Sequence, residues 1–121
     1  MARTAFAGPI GVGKGSTPAV TQLTNRSTGV TINASSGQIT TDATSLAAGT
    51  EATFVVTNRF VTANSVPVIA LASGSTAATS VAVVSAVAAG SFSITLTNLN
   101  AATADTGAGV INFIVFNGAT A

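Results

Sequence analysis

The stretch GPIGVGKGST, residues 8–17, contains the residue types that a phosphate-binding loop uses. Gly8, Gly13 and Lys14 have the spacing of a Walker A motif, in which glycine amides surround the phosphates and a lysine reaches the terminal ones. The motif also needs Ser or Thr directly after the lysine to hold Mg²⁺, and this chain has Gly15 there. The stretch therefore lacks the magnesium ligand of the motif.

The surroundings of this stretch also argue against a nucleotide site. A phosphate-binding loop opens a helix, but Pro18 would stop a helix within four residues of Lys14. No apolar strand ending in Asp follows to supply a second magnesium contact, and the chain has no alternating strand and helix pattern. Residues 1–18 are instead rich in Gly and Pro without a helical or strand period, which predicts an extended N-terminal arm.

Enzymatic chemistry has few residues to use in this chain. It contains no His and no Cys, so a general base would have to be Lys14 or one of three carboxylates. Asp42 and Glu51 lie across an expected turn and could form a hydrolytic carboxylate pair, although two separate solvated charges are the more ordinary interpretation. The acids have no calcium-loop spacing. We therefore predict no enzymatic activity, no cofactor, no metal and no small-molecule substrate.

Charged residues make up 6% of the chain, whereas about 25% is typical of soluble domains. Four cations against three acids cannot form the basic surface that binds a phosphate backbone, and few aromatic residues are available for base stacking. No uninterrupted apolar run approaches the roughly 18 residues of a membrane helix. We expect neither nucleic acid nor a membrane as a partner. The start of the chain lacks the apolar core of a signal peptide, which favours cytoplasmic synthesis.

From Ala19 onward the sequence consists of short segments rich in Val, Ile, Phe and Thr, separated by Gly, Asn, Ser and Asp. In GSFSITLTN, residues 90–98, Phe92, Ile94 and Leu96 alternate with Ser and Thr, as in a strand with one buried face. Strands are predicted in the following ranges: 19–24, 29–34, 37–42, 51–58, 66–72, 80–88, 90–98 and 109–117.

This spacing predicts an all-β fold, a single antiparallel β-sandwich over residues 19–121 with about eight strands. A jelly-roll-like arrangement is favoured, and a seven-stranded Greek-key sandwich is the near alternative. Helix is limited to one possible turn at residues 45–48. Pro67 lacks an amide hydrogen, so its strand should lie at a sheet edge or begin near that residue.

The sequence also allows predictions about the burial and the bonding of several single residues. Val20 and Leu23 are candidate inward residues of the first strand. The triplets LTN at 23–25, VTN at 56–58 and LTN at 96–98 are expected to close strands with Thr and open turns with Asn, whose side chain can bond its own main chain. Arg26 and Arg59 each follow an Asn at an expected strand end, so both are predicted to lie on the surface, with Asp42, Glu51 or Asp105 as ion-pair partners.

Scarce charge also favours association between copies of this chain, because a sandwich with few charges has little protection of its sheet edges. The strand at 109–117 is nearly continuously apolar, so it must be covered on both faces by its own chain or by a neighbouring subunit. The candidate interface residues belong to the arm, the two strand-end arginines and this strand. They are Arg3, Phe6, Pro9, Ile10, Val12, Lys14, Arg26, Arg59, Val110, Phe113 and Phe116.

The run VTQLTNRSTGVTINASSGQITTD at 20–42, together with EATFVVTN at 51–58, resembles capsid decoration (cement) proteins of tailed bacteriophages and related β domains of head and tail fibres. The resemblance implies a homotrimeric antiparallel β-sandwich that is made in the host cytoplasm. In the virion it would bind the capsid exterior, contact the major capsid protein and reinforce the shell. It implies no enzymatic activity and carries no functional residue over to this sequence.

A fibre-tip or receptor-binding domain that contacts a host glycan or protein is the alternative function. Such sites favour exposed aromatic or charged side chains. This chain has six Phe, mostly in strand patterns, and no Tyr or Trp. The sequence therefore favours the decoration role over the receptor-binding role.

Overall fold

The computed structural model describes residues 18–74 and 80–117. Within these ranges the chain forms eight strands and no helix, arranged as two packed sheets of four strands each. The predicted all-β sandwich is confirmed. Residues 45–48, the one place where the sequence allowed a helical turn, form no helix, and Leu46 makes an antiparallel bridge to Asp105 instead. The arm before Pro18 lies outside the described residues.

A strand overlaps each of the eight predicted segments. The first sheet has the order β1-β3-β8-β5, made by Ala19–Thr21 (β1), Ser36–Thr40 (β3), Val110–Asn117 (β8) and Ser65–Ser73 (β5). The second sheet has the order β2-β4-β7-β6, made by Val30–Thr31 (β2), Glu51–Thr57 (β4), Ser91–Asn98 (β7) and Ser80–Ala88 (β6). Pro67 is the third residue of the edge strand β5, so the prediction for it is confirmed.

The prediction of wholly antiparallel pairing is wrong for the two shortest strands. Among the described strands, β3–β8, β4–β7, β5–β8 and β6–β7 are antiparallel, whereas β1–β3 and β2–β4 are parallel. Between β1 and β3 the chain crosses to the second sheet, forms β2 and returns, so β1 and β3 run in the same direction. Alternation of apolar residues reveals a strand but not the direction of its neighbour.

The core lies between the two sheets, and the inward residues of β7 are central to it. Phe92, Ile94 and Leu96 are buried, as predicted. The Phe92 ring packs at 56° to the Phe113 ring of β8, with 5.9 Å between the ring centroids. This tilted contact between the two sheets is a favourable aromatic geometry.

Leu23 is not part of the core, contrary to prediction, since 71% of its surface is exposed. The strand β1 ends at Thr21, and the next residues form a loop around the buried side chain of Gln22. The Gln22 amide donates to the carbonyls of Arg26 and Thr28 at 2.9 and 2.8 Å, and its oxygen accepts the Asp42 amide at 3.0 Å. A polar side chain therefore organises this loop, and the apolar period of the sequence does not extend into it.

The three Asn-terminated triplets confirm the predicted side-chain bond of Asn to its turn, but a Thr ends the strand only at Thr57, since β1 ends at Thr21 and β7 at Asn98. The Oδ1 atoms of Asn25, Asn58 and Asn98 each accept a hydrogen bond from the amide two residues ahead, at 2.9, 2.9 and 3.0 Å. Asn58 and Asn98 are also fully buried, and their Nδ2 atoms donate to the carbonyls of Ala34 and Leu46 respectively. These two residues therefore open turns and also tie those turns to distant loops.

Candidate functional site

The outer face of the first sheet carries an apolar patch, which we define as Val66, Val68, Ile114 and Phe116. Alternation along β5 and β8 turns these side chains away from the core. Val66 lies opposite Phe116 and Val68 lies opposite Ile114 in the antiparallel register. Val66, Val68 and Phe116 are 57%, 48% and 52% exposed, and Ile114 is half-buried. The two cross-strand pairs form one contiguous apolar surface beside the edge of the sheet.

Toward β3 this face becomes polar. The Gln38 side chain of β3 donates to the Asn112 side chain of β8 at 3.0 Å, and the two residues are directly opposed in the sheet. A shallow groove of about 280 Å³ marks the border with the apolar patch and is lined by Val68, Ala70, Asn112 and neighbouring residues. The outer face of the first sheet therefore changes from apolar at β5 to polar at β3.

The outer face of the second sheet is dominated by hydroxyl groups. Thr53 and Thr95 share a hydrogen bond of 2.7 Å between their Oγ1 atoms, and Thr95 Oγ1 also lies 2.9 Å from Ser85 Oγ, to which it donates. Val55 and Val83 are 45% and 50% exposed on this face, but Ser93 and Thr95 respectively lie opposite them. Apolar residues on this face are therefore paired with hydroxyl-bearing residues across the strands.

Arg26 lies in a buried polar cluster, so its predicted surface position is wrong. Only 5% of its surface is exposed. Its Nη2 donates to the carbonyls of Asp105 and Gly107 at 3.1 and 2.9 Å, and its Nε donates to the carbonyl of Thr44. The loop after β1 folds back over the sandwich, and the planar guanidinium reaches several carbonyls at once. Arg26 therefore holds together loops of its own chain.

Of the three acids that the sequence offers as partners, Asp105 forms an ion pair with Arg26, with 3.9 Å between Nη2 and Oδ1. Asp105 is also buried, and its Oδ2 accepts the Ser80 hydroxyl at the start of β6 while its Oδ1 accepts the Gly107 amide. Because both charges are buried, the pair must be judged as a buried ion pair and not as the weak surface pair expected from sequence.

Arg59 is exposed, as predicted, and lies two residues after the C-terminal end of β4. Its guanidinium carbon lies 5.0 Å from the centroid of the exposed Phe60 ring, a cation–π distance. Its backbone amide donates to Asn33 Oδ1 at 2.9 Å. The structure does not bring Arg26 and Arg59 together into one site.

The Asp42 side chain accepts hydrogen bonds from the turn that follows it. Its Oδ1 accepts the Thr44 amide at 2.7 Å and also the Thr44 hydroxyl. Both hydrogen bonds lower the pKa of Asp42 below its ordinary value of 3.8, and the bond from the Thr44 hydroxyl has the larger effect. Residues 18–74 and 80–117 contain no group of three or more acidic, His or Cys residues that could hold a metal ion.

The predicted interface strand β8 divides its residues between the two faces. Phe113 is buried in the core, because its parity points it at Phe92, so this residue of the strand is covered by its own chain. Phe116 is exposed and Val110 is half-buried. The arm residues Arg3, Phe6, Pro9, Ile10, Val12 and Lys14 lie outside the described residues.

Val66, Val68 and Ile114 are not among the individually named interface candidates, although Ile114 lies in the predicted interface strand at 109–117. The signal for them was present as apolar residues of one parity at positions 66, 68, 70 and 72 of the Pro-containing edge strand. Such a strand has one apolar face too many for its own core.

No protein-family model matches this chain, and no curated protein or solved structure matches it. The resemblance of residues 20–58 to phage decoration proteins therefore stays a prediction. Among the described residues, no helix is long and apolar enough to cross a bilayer.

Proposed function

We propose that this protein is a structural, non-enzymatic virion subunit that binds the outside of a bacteriophage capsid and stabilises contacts between major capsid subunits. The observation that carries the proposal is the apolar patch on a nearly uncharged two-sheet sandwich. A surface of this kind favours contact with another protein over chemistry on a small molecule.

The few charged side chains support a structural role. Arg26 and Asp105 are engaged in the buried cluster, and Asp42 accepts hydrogen bonds from Thr44. These groups hold loops in place, and general acid–base catalysis would require them to face a substrate. We therefore propose no cofactor and no small-molecule substrate.

Shell binding by such a domain would depend on many weak contacts made at once. In this proposal the protein is a homotrimer of jelly-roll-like sandwiches, and the arm of each copy, residues 2–17, lies along a neighbouring capsid subunit. The arm contains the cations Arg3 and Lys14 and the apolar residues Phe6, Ile10 and Val12. Three arms that bind together raise the overall affinity far above that of one arm.

Co-sedimentation with phage heads tests this proposal. Protein added to heads that lack it should pellet with them, and deletion of residues 2–17 should abolish pelleting while the circular dichroism spectrum and oligomeric state are retained. A full-length variant with the order of residues 2–17 scrambled is the matched control for length and charge, and it should also bind less. Unchanged head binding by the deletion would contradict the docking role of the arm.

The same preparation distinguishes the alternative function. A decoration protein should pellet with heads and not with host cells. Retention on host cells without binding to heads would instead favour a fibre-tip domain that contacts a host glycan or protein.

A further inference from the structure

We infer that the apolar patch of Val66, Val68, Ile114 and Phe116 is the surface through which copies of this chain associate. In the assembly the patches of neighbouring copies face one another around a symmetry axis. This inference rests on the proposed assembly role and names its contact surface.

The patch has the composition of the centre of an interface. Its two cross-strand pairs, Val66 with Phe116 and Val68 with Ile114, place four apolar side chains side by side. On the side of β3 it is bordered by polar groups, the hydrogen-bonded side-chain amides of Gln38 and Asn112. Interfaces commonly combine an apolar centre with such a polar rim.

The distribution of charge favours a second copy as the occupant. Neither residues 60–104 nor residues 106–121 contain any Asp, Glu, Lys, Arg or His. The strands β5, β6, β7 and β8 are therefore free of charged side chains. Two copies that meet on this face bring no like charges together, and a charged partner would leave its own groups desolvated without counterparts.

The outer face of the second sheet serves as an internal comparison. Val55 and Val83 are about as exposed as Val66 and Val68, but serine and threonine lie opposite them. The hydroxyls of that face already satisfy one another, as in the hydrogen bond of 2.7 Å between Thr53 and Thr95. Exposed valine is thus common to both faces, but Val55, Val81 and Val83 each lie opposite a hydroxyl-bearing residue, whereas the patch pairs apolar residues across its two strands.

Paired valine-to-threonine variants test the surface. V66T/V68T places hydroxyls in the patch, whereas V55T/V83T makes the same change on the second sheet, and threonine keeps the shape and strand preference of valine. Sedimentation velocity at micromolar concentration should show association of the natural chain and of V55T/V83T. The patch variant should dissociate with a constant raised at least about tenfold, as expected when an interface centre is altered. Equal behaviour of the two variants, or a monomeric natural chain, would overturn the inference.

Cysteine crosslinking keeps the test decisive if a threonine variant folds poorly. The chain has no cysteine of its own, so V68C introduces a single thiol, and V83C is a control of nearly equal exposure. With copper phenanthroline as the oxidant, two thiols join into one disulfide, and V68C should give covalent dimers in much higher yield than V83C. Comparable yields would count against the patch as the contact surface.

Head binding separates failure of this inference from failure of the proposed function. If V66T/V68T assembles like the natural chain and still pellets with heads, the assignment of the patch as the contact surface is wrong and the proposed virion role stands. If the natural chain assembles through the patch but does not pellet with heads, the patch stands and the virion role is wrong.

Discussion

The Arg26 guanidinium lies buried beside the Asp105 carboxylate, although the two residues are 79 positions apart in the chain. Arg26 follows β1 in the first sheet, and Asp105 precedes β8. Their contact, with the added bonds to Thr44 and Gly107, fastens three loops together at one end of the sandwich. The cluster therefore stabilises the arrangement of loops more than it stabilises either sheet.

Arg26→Met should be strongly destabilising. Methionine preserves much of the aliphatic stem but removes the donors to the Thr44, Asp105 and Gly107 carbonyls and leaves the Asp105 charge without its cation. Breaking a buried ion pair in this way costs about 3–5 kcal/mol of unfolding free energy. Arg59→Met, the exposed control, should cost no more than about 1 kcal/mol, the value of an exposed cation–π contact. Urea unfolding monitored by circular dichroism compares them, and similar losses would refute the structural role of Arg26.

Thr44→Val should raise the pKa of Asp42 toward its ordinary value, because the Thr44 hydroxyl bond is the main cause of the lowered pKa. In the natural chain the folded pKa is below the unfolded one, so Asp42 contributes stability above its unfolded pKa that is lost as the pH falls through the folded pKa. The carboxyl ¹³C shift of Asp42, followed by NMR below pH 5, measures the change. Thr50→Val removes a hydroxyl bonded to Ala47 and should leave the Asp42 titration unchanged.

Alanine replacement of the three turn-forming asparagines should distinguish the stability contribution of a local turn bond from that of the buried hydrogen bonds to distant loops. Asn58→Ala and Asn98→Ala each remove partners of buried main-chain groups, at about 1–3 kcal/mol for each unsatisfied group. Asn25→Ala removes an exposed turn bond and should cost less than about 1 kcal/mol. Thermal or urea unfolding of the three variants gives the ranking. A cost for Asn25→Ala as large as the other two would show that the turns themselves dominate.

Gly37→Ala should overpack the contact between β3 and β8. A Cβ at residue 37 would lie 2.8 Å from Ile32 Cδ1 and 2.9 Å from Phe113 Cε1, closer than carbon atoms tolerate. Overpacking of this kind costs about 1–3 kcal/mol. Phe113→Leu removes one of the clashing groups, so the double variant should lose less stability than the two single variants added together. An additive double-mutant cycle would contradict the predicted clash.

The sequence was sufficient for the parts of the fold that depend on local pattern. Alternation in residues 90–98 identifies β7 and its inward side chains, and the asparagine triplets identify turns, because a strand period and a side-chain bond to the second amide ahead are local properties. The edge position of Pro67 follows in the same way from its missing amide hydrogen.

Only the tertiary structure decided which residues meet across long separations. Burial of Arg26 depends on Asp105 and Gly107 arriving from the far end of the chain, and the apolar patch exists because β5 pairs with β8 in a register that sets Val66 beside Phe116. Phe113 and Phe116 have the same side chain on the same strand, yet one is core and the other surface. The periodicity of a doubly apolar strand identifies two faces, but the packing of the opposite sheet determines which face becomes the interior.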